Sequence, residues 1–382
     1  MKKLYLSIGI LCLLLLTGTL KATDSPLSEE AEISLLTASP GAELYAVFGH
    51  SALWVHDPVN NIDEVYNWGT FDFDTPNFYT KFMRGRLMYE LTVVPLRLFL
   101  PEYDYAGRGV EQQVLNLTPP EKQAVYRFLQ INRRPENIHY LYDFFYDNCA
   151  TRIRDLADEQ LDIDWGPEPQ AREAKTFREL LHPYVEHIPW TSFGIDLLLG
   201  MPADKVASPW HYMFLPDEMF IAFQQARHND GRLLINSHQE ILPQQYQPSD
   251  PTPFTPTLVL WLVFILGCLT LLRHKVANVF QKGYFTILGV LGLILFFMWF
   301  LSDHVATGMN LDLLWTLPTH IYFIFRTRSK QQPGMVKGYF AVVFFLNIGL
   351  LILWPFGLQD FHAASLPLIL LATIFAATQW TR

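Results

Sequence analysis

The chain has 382 residues, half of them hydrophobic, and carries 28 Lys and Arg against 37 Asp and Glu, a formal charge of −9. That length accommodates two modules, and the acidic balance offers no basic footprint, so nucleic acid is excluded as a partner class. Of the three cysteines, Cys12 and Cys268 sit in long apolar runs and only Cys149 does not, so a framework of disulfides is excluded for an exported domain.

Residues 1–22 read as a signal peptide: Lys2 and Lys3 precede an apolar run at 4–16, and small residues follow. A retained membrane helix is the alternative, but that run is short for a hydrocarbon core of about 30 Å. Residues 23–242 form the expected extracytoplasmic domain. Between 23 and 256, 17 Lys and Arg stand against 34 Asp and Glu, leaving −17. Residues 33–37 are β-like, and Pro40-Gly41 is a turn. Residues 44–56 contain a strand with Phe48, His50, Ala52, Trp54 and His56 on one parity, and 62–68 is its partner across Asn60-Asn61. Residues 87–94 and 110–117 add two strands. Thr118-Pro119-Pro120-Glu121 is a capping box with proline at the first helical position, opening a helix to about 134. After the aromatic run 140–146, Asp147 and Asn148 are suited to cap a helix from Cys149 to about 161, with Ile153, Leu156, Ala157 and Leu161 as its buried stripe. The fold class is α+β, a small antiparallel sheet with helices packed on it.

Residues 243–256 hold five prolines among Gln, Ser, Thr and Asp and read as an extended spacer. Residues 257–382 then carry five apolar stretches, at about 257–272, 284–301, 309–325, 339–357 and 363–380, which predict an all-α five-helix transmembrane domain. Arg273, Lys275 and Lys282 occupy the first connection; Arg326, Arg328, Lys330 and Lys337 occupy the third. The second, with Asp303 and His304, and the fourth, with Asp360 and His362, have neither Lys nor Arg. The positive-inside rule puts the first and third connections and the C-terminus in the cytoplasm, and the preceding domain outside. A signal peptide demands the same. The expectation is a multi-pass protein of the inner (cytoplasmic) membrane with its catalytic domain on the periplasmic side. Asp312 and His320 in the third stretch are either functional or packing groups.

Cys149 falls in the first turn of its helix, where unpaired N–H groups and the helix dipole stabilise a thiolate, which favours a nucleophile over an inert residue. Such a thiol needs a base. His50, beside Gly49 on a core strand, is the first candidate, with His56, His139 and His211 still open. Ser51 faces away from His50 as its strand neighbour and is set aside as a nucleophile. Neither a metal pattern nor a glycine-rich phosphate loop occurs, so no metal and no cofactor is expected. Asp72 and Asp74 read as a solvated turn. Phe144, Phe145 and Tyr146 would suit an acyl-chain pocket or simple core packing.

The Gly49-His50-Ser51-Ala52 strand followed later by Asp147-Asn148-Cys149-Ala150 resembles the circularly permuted branch of NlpC-like papain-fold enzymes, which includes lecithin–retinol acyltransferase relatives. With Phe48 before that strand motif, Tyr66-Asn67-Trp68-Gly69-Thr70-Phe71, and apolar stretches to the end, the chain is similar to Lnb-type lipoprotein N-acyltransferases of Bacteroides-like bacteria. The resemblance implies a permuted papain-like (NlpC-like) sheet, Cys149 as nucleophile and His50 as base. Papain-like sites carry a polar residue on the strand after the histidine; Asn67 holds that position, with His56 as runner-up because it lies six residues, roughly 20 Å, along its strand. It also implies a phospholipid acyl donor at the membrane, a Cys149 thioester, and the α-amino group of the N-terminal cysteine of a diacylated lipoprotein as acceptor. A membrane-anchored cysteine peptidase or amidase acting on cell-wall peptide would use the same dyad. A non-catalytic module would keep Cys149 buried and unreactive.

Overall fold

A computed structural model describes residues 26–166, 174–250, 252–328 and 331–382. The expected signal peptide, with Cys12, and Lys330 lie outside the described residues.

The strands are β1 (Glu32–Ala38), β2 (His50–Asp57), β3 (Ile62–Thr70), β4 (Met88–Val94), β5 (Val110–Leu115), β6 (His139–Leu141), β7 (Ile163–Asp164), β8 (Arg227–His228) and β9 (Ile235–Leu242). Seven of them make one antiparallel sheet in the order β6-β4-β3-β2-β1-β5-β9, and β7 and β8 pair separately. Both faces of the central strands are apolar because both are covered. On one face Ile33, Leu35, Leu53, Val55, Tyr66 and Trp68 pack against helices α3 (Pro119–Asn132) and α4 (Cys149–Gln160). On the other, Leu36, Ala52 and Val65 meet Phe99 and Tyr103 of α2 (Leu96–Tyr105), which follows the short α1 (Phe78–Met83). Each such aliphatic side chain contributes about 1.5–3 kcal/mol when fully buried, so this two-sided layer fixes the sheet rigidly under its ends.

Local signals set the helix starts. The Thr118 N–H donates to Glu121 Oε2 at 2.6 Å, opening α3. Asn148 caps α4 by accepting from the N–H groups of Ala150 and Thr151, both at 2.9 Å. Ile153, Leu156, Ala157 and Leu161 are buried, as their spacing requires. Helices α5 (Phe177–Val185), α6 (Pro189–Leu198), α7 (Pro209–Tyr212) and α8 (Pro216–Gln225) brace the same end, where Asn148 Nδ2 donates to the Phe144 and Phe214 carbonyls at 2.8 Å. Phe145 packs on Phe177 and Phe214 in the core, and the half-buried Phe144 packs on Phe48.

The proline-rich spacer runs pinned along the domain. The N–H groups of Gln245 and Tyr246 donate to the Gly107 carbonyl at 2.9 and 2.6 Å, and Trp190 Nε1 donates to the Phe254 carbonyl at 2.8 Å.

The last third is helical: α9 (Pro256–Thr270), α10 (His274–Phe300), α11 (His320–Phe325), α12 (Gly334–Leu353) and α13 (Ser365–Thr381). Among the described residues, two helices are long and apolar enough to cross a membrane, the 27-residue α10 and the 23-residue Gly334–Phe356 that contains α12; α9 and α13 have 15 and 17 residues. Of the five expected membrane helices, two therefore have full spanning length. The third stretch is no single helix. Asn310 Oδ1 takes the Asp312 N–H at 2.9 Å to start a 3-10 turn at Leu311–Leu314. Pro318 then offers no N–H and pushes Leu317 out of the helical region, so regular helix resumes only at His320. Asp312 accepts from Trp315 Nε1 at 2.8 Å and Gln359 Nε2 at 3.0 Å, while the His320 ring meets the Trp315 carbonyl and the Tyr339 hydroxyl. Both are hydrogen-bond hubs within the helical third and take no part in the Cys149 corner.

The two parts meet along one seam. Arg86 pairs with Asp303 at 2.6 Å, the Asp303 N–H donates to the Arg84 carbonyl at 2.9 Å, and His304 Nε2 donates to the Phe82 carbonyl at 2.9 Å. The Gly200 N–H donates to Ala306, Asn310 Nδ2 donates to Leu197, and Phe193 packs on His362. Apart from Asn310, at the start of the third stretch, these contacts use the connections that lack Lys and Arg, in agreement with the sidedness read from charge.

Candidate active site

Three chain ends converge at one corner: the start of β2 at His50, the end of β3 at Thr70, and the start of α4 at Cys149. Leu53 stands opposite Tyr66, so Ala52 lies beside Asn67, and His50 and Asn67 project from the same face of the sheet. His50 Nε2 is 2.6 Å from Asn67 Oδ1. A carbonyl oxygen only accepts, so Nε2 carries the hydrogen and Nδ1 is left for the thiol. The ring and the Cys149 side chain both flank Gly69, each shifts the titration of the other, and Cys149 is 8% exposed.

A kink in β3 makes this meeting possible. The register slips between Trp68 and Thr70, with Gly69 at φ +100°. A Cβ at Gly69 would stand 3.7 Å from His50 Cε1 and 3.8 Å from Cys149 Cβ, so the bulge sits directly against both groups. Gly49, at φ +80°, turns the chain into β2 and lets Pro216 of α8 approach to 3.4 Å of where a Cβ would be.

The electrostatics favour an ion pair. Burial pushes the Cys149 thiol up, but the imidazolium of His50, hydrogen bonding to its ring, and the backbone N–H groups of Ser51 and Ala150 outweigh it and hold the thiol below its usual range. Burial pushes His50 down, and the Cys149 thiolate, hydrogen bonding to it and the Asn67 bond reverse this, raising the imidazole despite the opposing charge of Arg108. Tyr103 stacks beside the imidazole with ring centroids 6.4 Å apart, and the Arg108 guanidinium lies 4.8 Å from the centre of the Tyr103 ring. The Cys149 N–H, at the first position of α4, takes no acceptor among the described residues and is available to an oxyanion.

The other candidates lie apart. The His56 ring packs on Trp54 at 5.1 Å, His139 faces Glu90 at 3.7 Å on the sheet edge, and His211 bonds Ser208 Oγ at 2.7 Å. Ser51 has a buried, unpartnered hydroxyl; its backbone N–H is what faces the sulfur. Asp72 and Asp74 form an exposed turn. Sequence reasoning missed the roles of Gly69, the Ser51 amide and Tyr103. A glycine inside a strand pattern is a general sign of a bulge and could have flagged the first. Two clefts, of about 380 and 340 Å³, include neither His50 nor Cys149 in their walls.

Residues 21–182 match the model of the Lnb N-terminal periplasmic domain, and residues 247–381 match that of the Lnb transmembrane domain. The chain belongs to the Lnb family, membrane proteins with a periplasmic domain followed by a transmembrane domain. No curated protein and no solved structure matches it.

Proposed function

We propose that this protein is a thiol-dependent acyltransferase of the inner membrane, a multi-pass protein whose permuted papain-like domain works on the periplasmic side. The observation that carries the reading is the cluster at the corner: Asn67 Oδ1 bonds His50 Nε2 at 2.6 Å, and the His50 ring and Cys149 stand together against Gly69. The Cys149 thiolate attacks an ester carbonyl carbon of a phospholipid, and the Cys149 N–H stabilises the oxyanion. The ester C–O bond breaks, and the His50 imidazolium gives its proton to the departing lysophospholipid. The α-amino group of the N-terminal cysteine of a diacylated lipoprotein then attacks the thioester. His50 takes its proton, the C–S bond breaks, and the thiolate returns with an N-acylated lipoprotein as product. Asn67 holds the imidazole in the tautomer this sequence needs.

A peptidase or amidase could use the same three side chains. Lipid is favoured as donor because the domain contacts the residues that follow the long apolar helix α10 through Arg86 and Phe82, which meet Asp303 and His304. The test is to incubate the purified protein with labelled phospholipid and look for a hydroxylamine-sensitive acyl-protein. Cys149→Ala should give none, and His50→Ala should slow its formation by about 10² or more. Cleavage of cell-wall peptide without any acyl-protein would reverse the choice.

A further inference from the structure

Residues 71–83 leave an unusual set of side chains in the open: Phe73 is 64% exposed, Tyr79 77%, Phe82 49% and Met83 45%. Such a patch on a soluble surface calls for a partner. Its position narrows the choice. Helix α1 sits against the residues immediately after Phe300, the end of α10: the Arg84 carbonyl accepts from the Asp303 N–H, the Phe82 ring lies 6.4 Å from His304, and Arg86 pairs with Asp303. The end of a 27-residue apolar helix marks the level of the membrane–water boundary, where aromatic side chains concentrate. Lys81 and Arg84 stand at that same level, with stems that can lie along apolar surface and charges that suit lipid phosphates.

The patch is also continuous with the catalytic corner. Phe71 lies two residues beyond Gly69, and rings follow one another from there: Phe71 to Phe78 at 5.9 Å, Phe78 to Phe82 at 6.2 Å, Phe82 to His304 at 6.4 Å. This apolar surface joins the strand end beside Gly69 to the end of α10.

We propose that the exposed aromatic face of residues 71–83 is a lipid-docking surface that seats in the periplasmic leaflet beside α10 and holds acyl chains next to the Cys149 corner. The docking does not depend on acyl transfer; its use as a route for the donor rests on that reading. The deciding experiment places the photo-reactive p-benzoylphenylalanine at Tyr79 in full-length Cys149→Ala protein, in nanodiscs of phosphatidylethanolamine and phosphatidylglycerol. After irradiation the intact mass should rise by one phospholipid, as it should with the probe at Ile287, which is 69% exposed on α10. No lipid adduct at 79 when 287 gives one, or a cross-linked pair of chains in its place, overturns the proposal. In protein with its thiol intact, combined Phe73→Ser, Tyr79→Ser and Phe82→Ser should cut acyl-protein formation from phospholipid vesicles at least tenfold, with iodoacetamide alkylation of Cys149 unchanged. Should that variant misfold, the probe at 79, which replaces one exposed side chain, still decides. Failure of the thiol-intact protein to form any acyl-protein would count against acyl transfer alone, because the cross-link is scored without the thiol.

Discussion

At Cys149 burial and charge act in opposite directions, and the balance can be read from a pH profile. The thiol is held below its usual range and His50 above its own, in part by the charge of the other. Alkylation by iodoacetamide should therefore reach half its maximal rate at a pH below the ordinary thiol value of about 8.5. His50→Ala removes the cation and leaves burial, which raises the thiol, opposed only by the Ser51 and Ala150 amides. Its profile should move to higher pH. An unmoved midpoint would separate the two residues electrically and remove His50 from the pair.

Among the elements, those with one strong local signal formed where the sequence put them. The capping residues Thr118 and Asn148 start α3 and α4, and the stripe from Ile153 to Leu161 is buried. Elements that depend on a neighbour were harder to read. The apolar stretch around residue 312 looks like a span by composition, but Asn310, Pro318 and the buried Asp312 break it into a turn and a six-residue helix. The bulge at Gly69 likewise serves a helix that begins eighty residues further on. The seam between the parts depends on one close approach: a Cβ at Gly200 would lie 1.9 Å from the Gly308 carbonyl oxygen. Gly200→Ala should destabilise the protein by about 1–3 kcal/mol through overpacking, seen as a lower thermal midpoint in detergent. Gly194→Ala, where a Cβ meets nothing within 4 Å, is the control and should be neutral or stabilising by about 0.5–1 kcal/mol.

For the molecule as a whole, sidedness is the property most open to a direct check. The Arg86–Asp303 pair that bridges the parts is half-exposed and screened by solvent, so backbone hydrogen bonds and packing hold the seam. Those bonds place the connection at 302–308 and the turn near Asp360 on the side of the sheet domain. In a chain whose own thiols are replaced, Asp360→Cys should react with a membrane-impermeant maleimide added to spheroplasts. Lys275→Cys, at the other end of α10, should react only after permeabilisation. The reverse pattern would invert the topology and strand the Cys149 corner in the cytoplasm.

The amino-acid sequence alone determined the class of fold and the order of a periplasmic module before a membrane one, and marked Cys149 as the candidate thiol, because each rests on composition, charge or periodicity within a short window. It also singled out His50 and Asn67, through local motifs and a family resemblance. Only the tertiary structure decided that these side chains meet, since register between β2 and β3 and the bulge at Gly69 are set by contacts between distant segments. The Ser51 amide at the sulfur, the Tyr103 ring beside the imidazole and the aromatic face running to α10 are likewise products of packing, which no local pattern encodes.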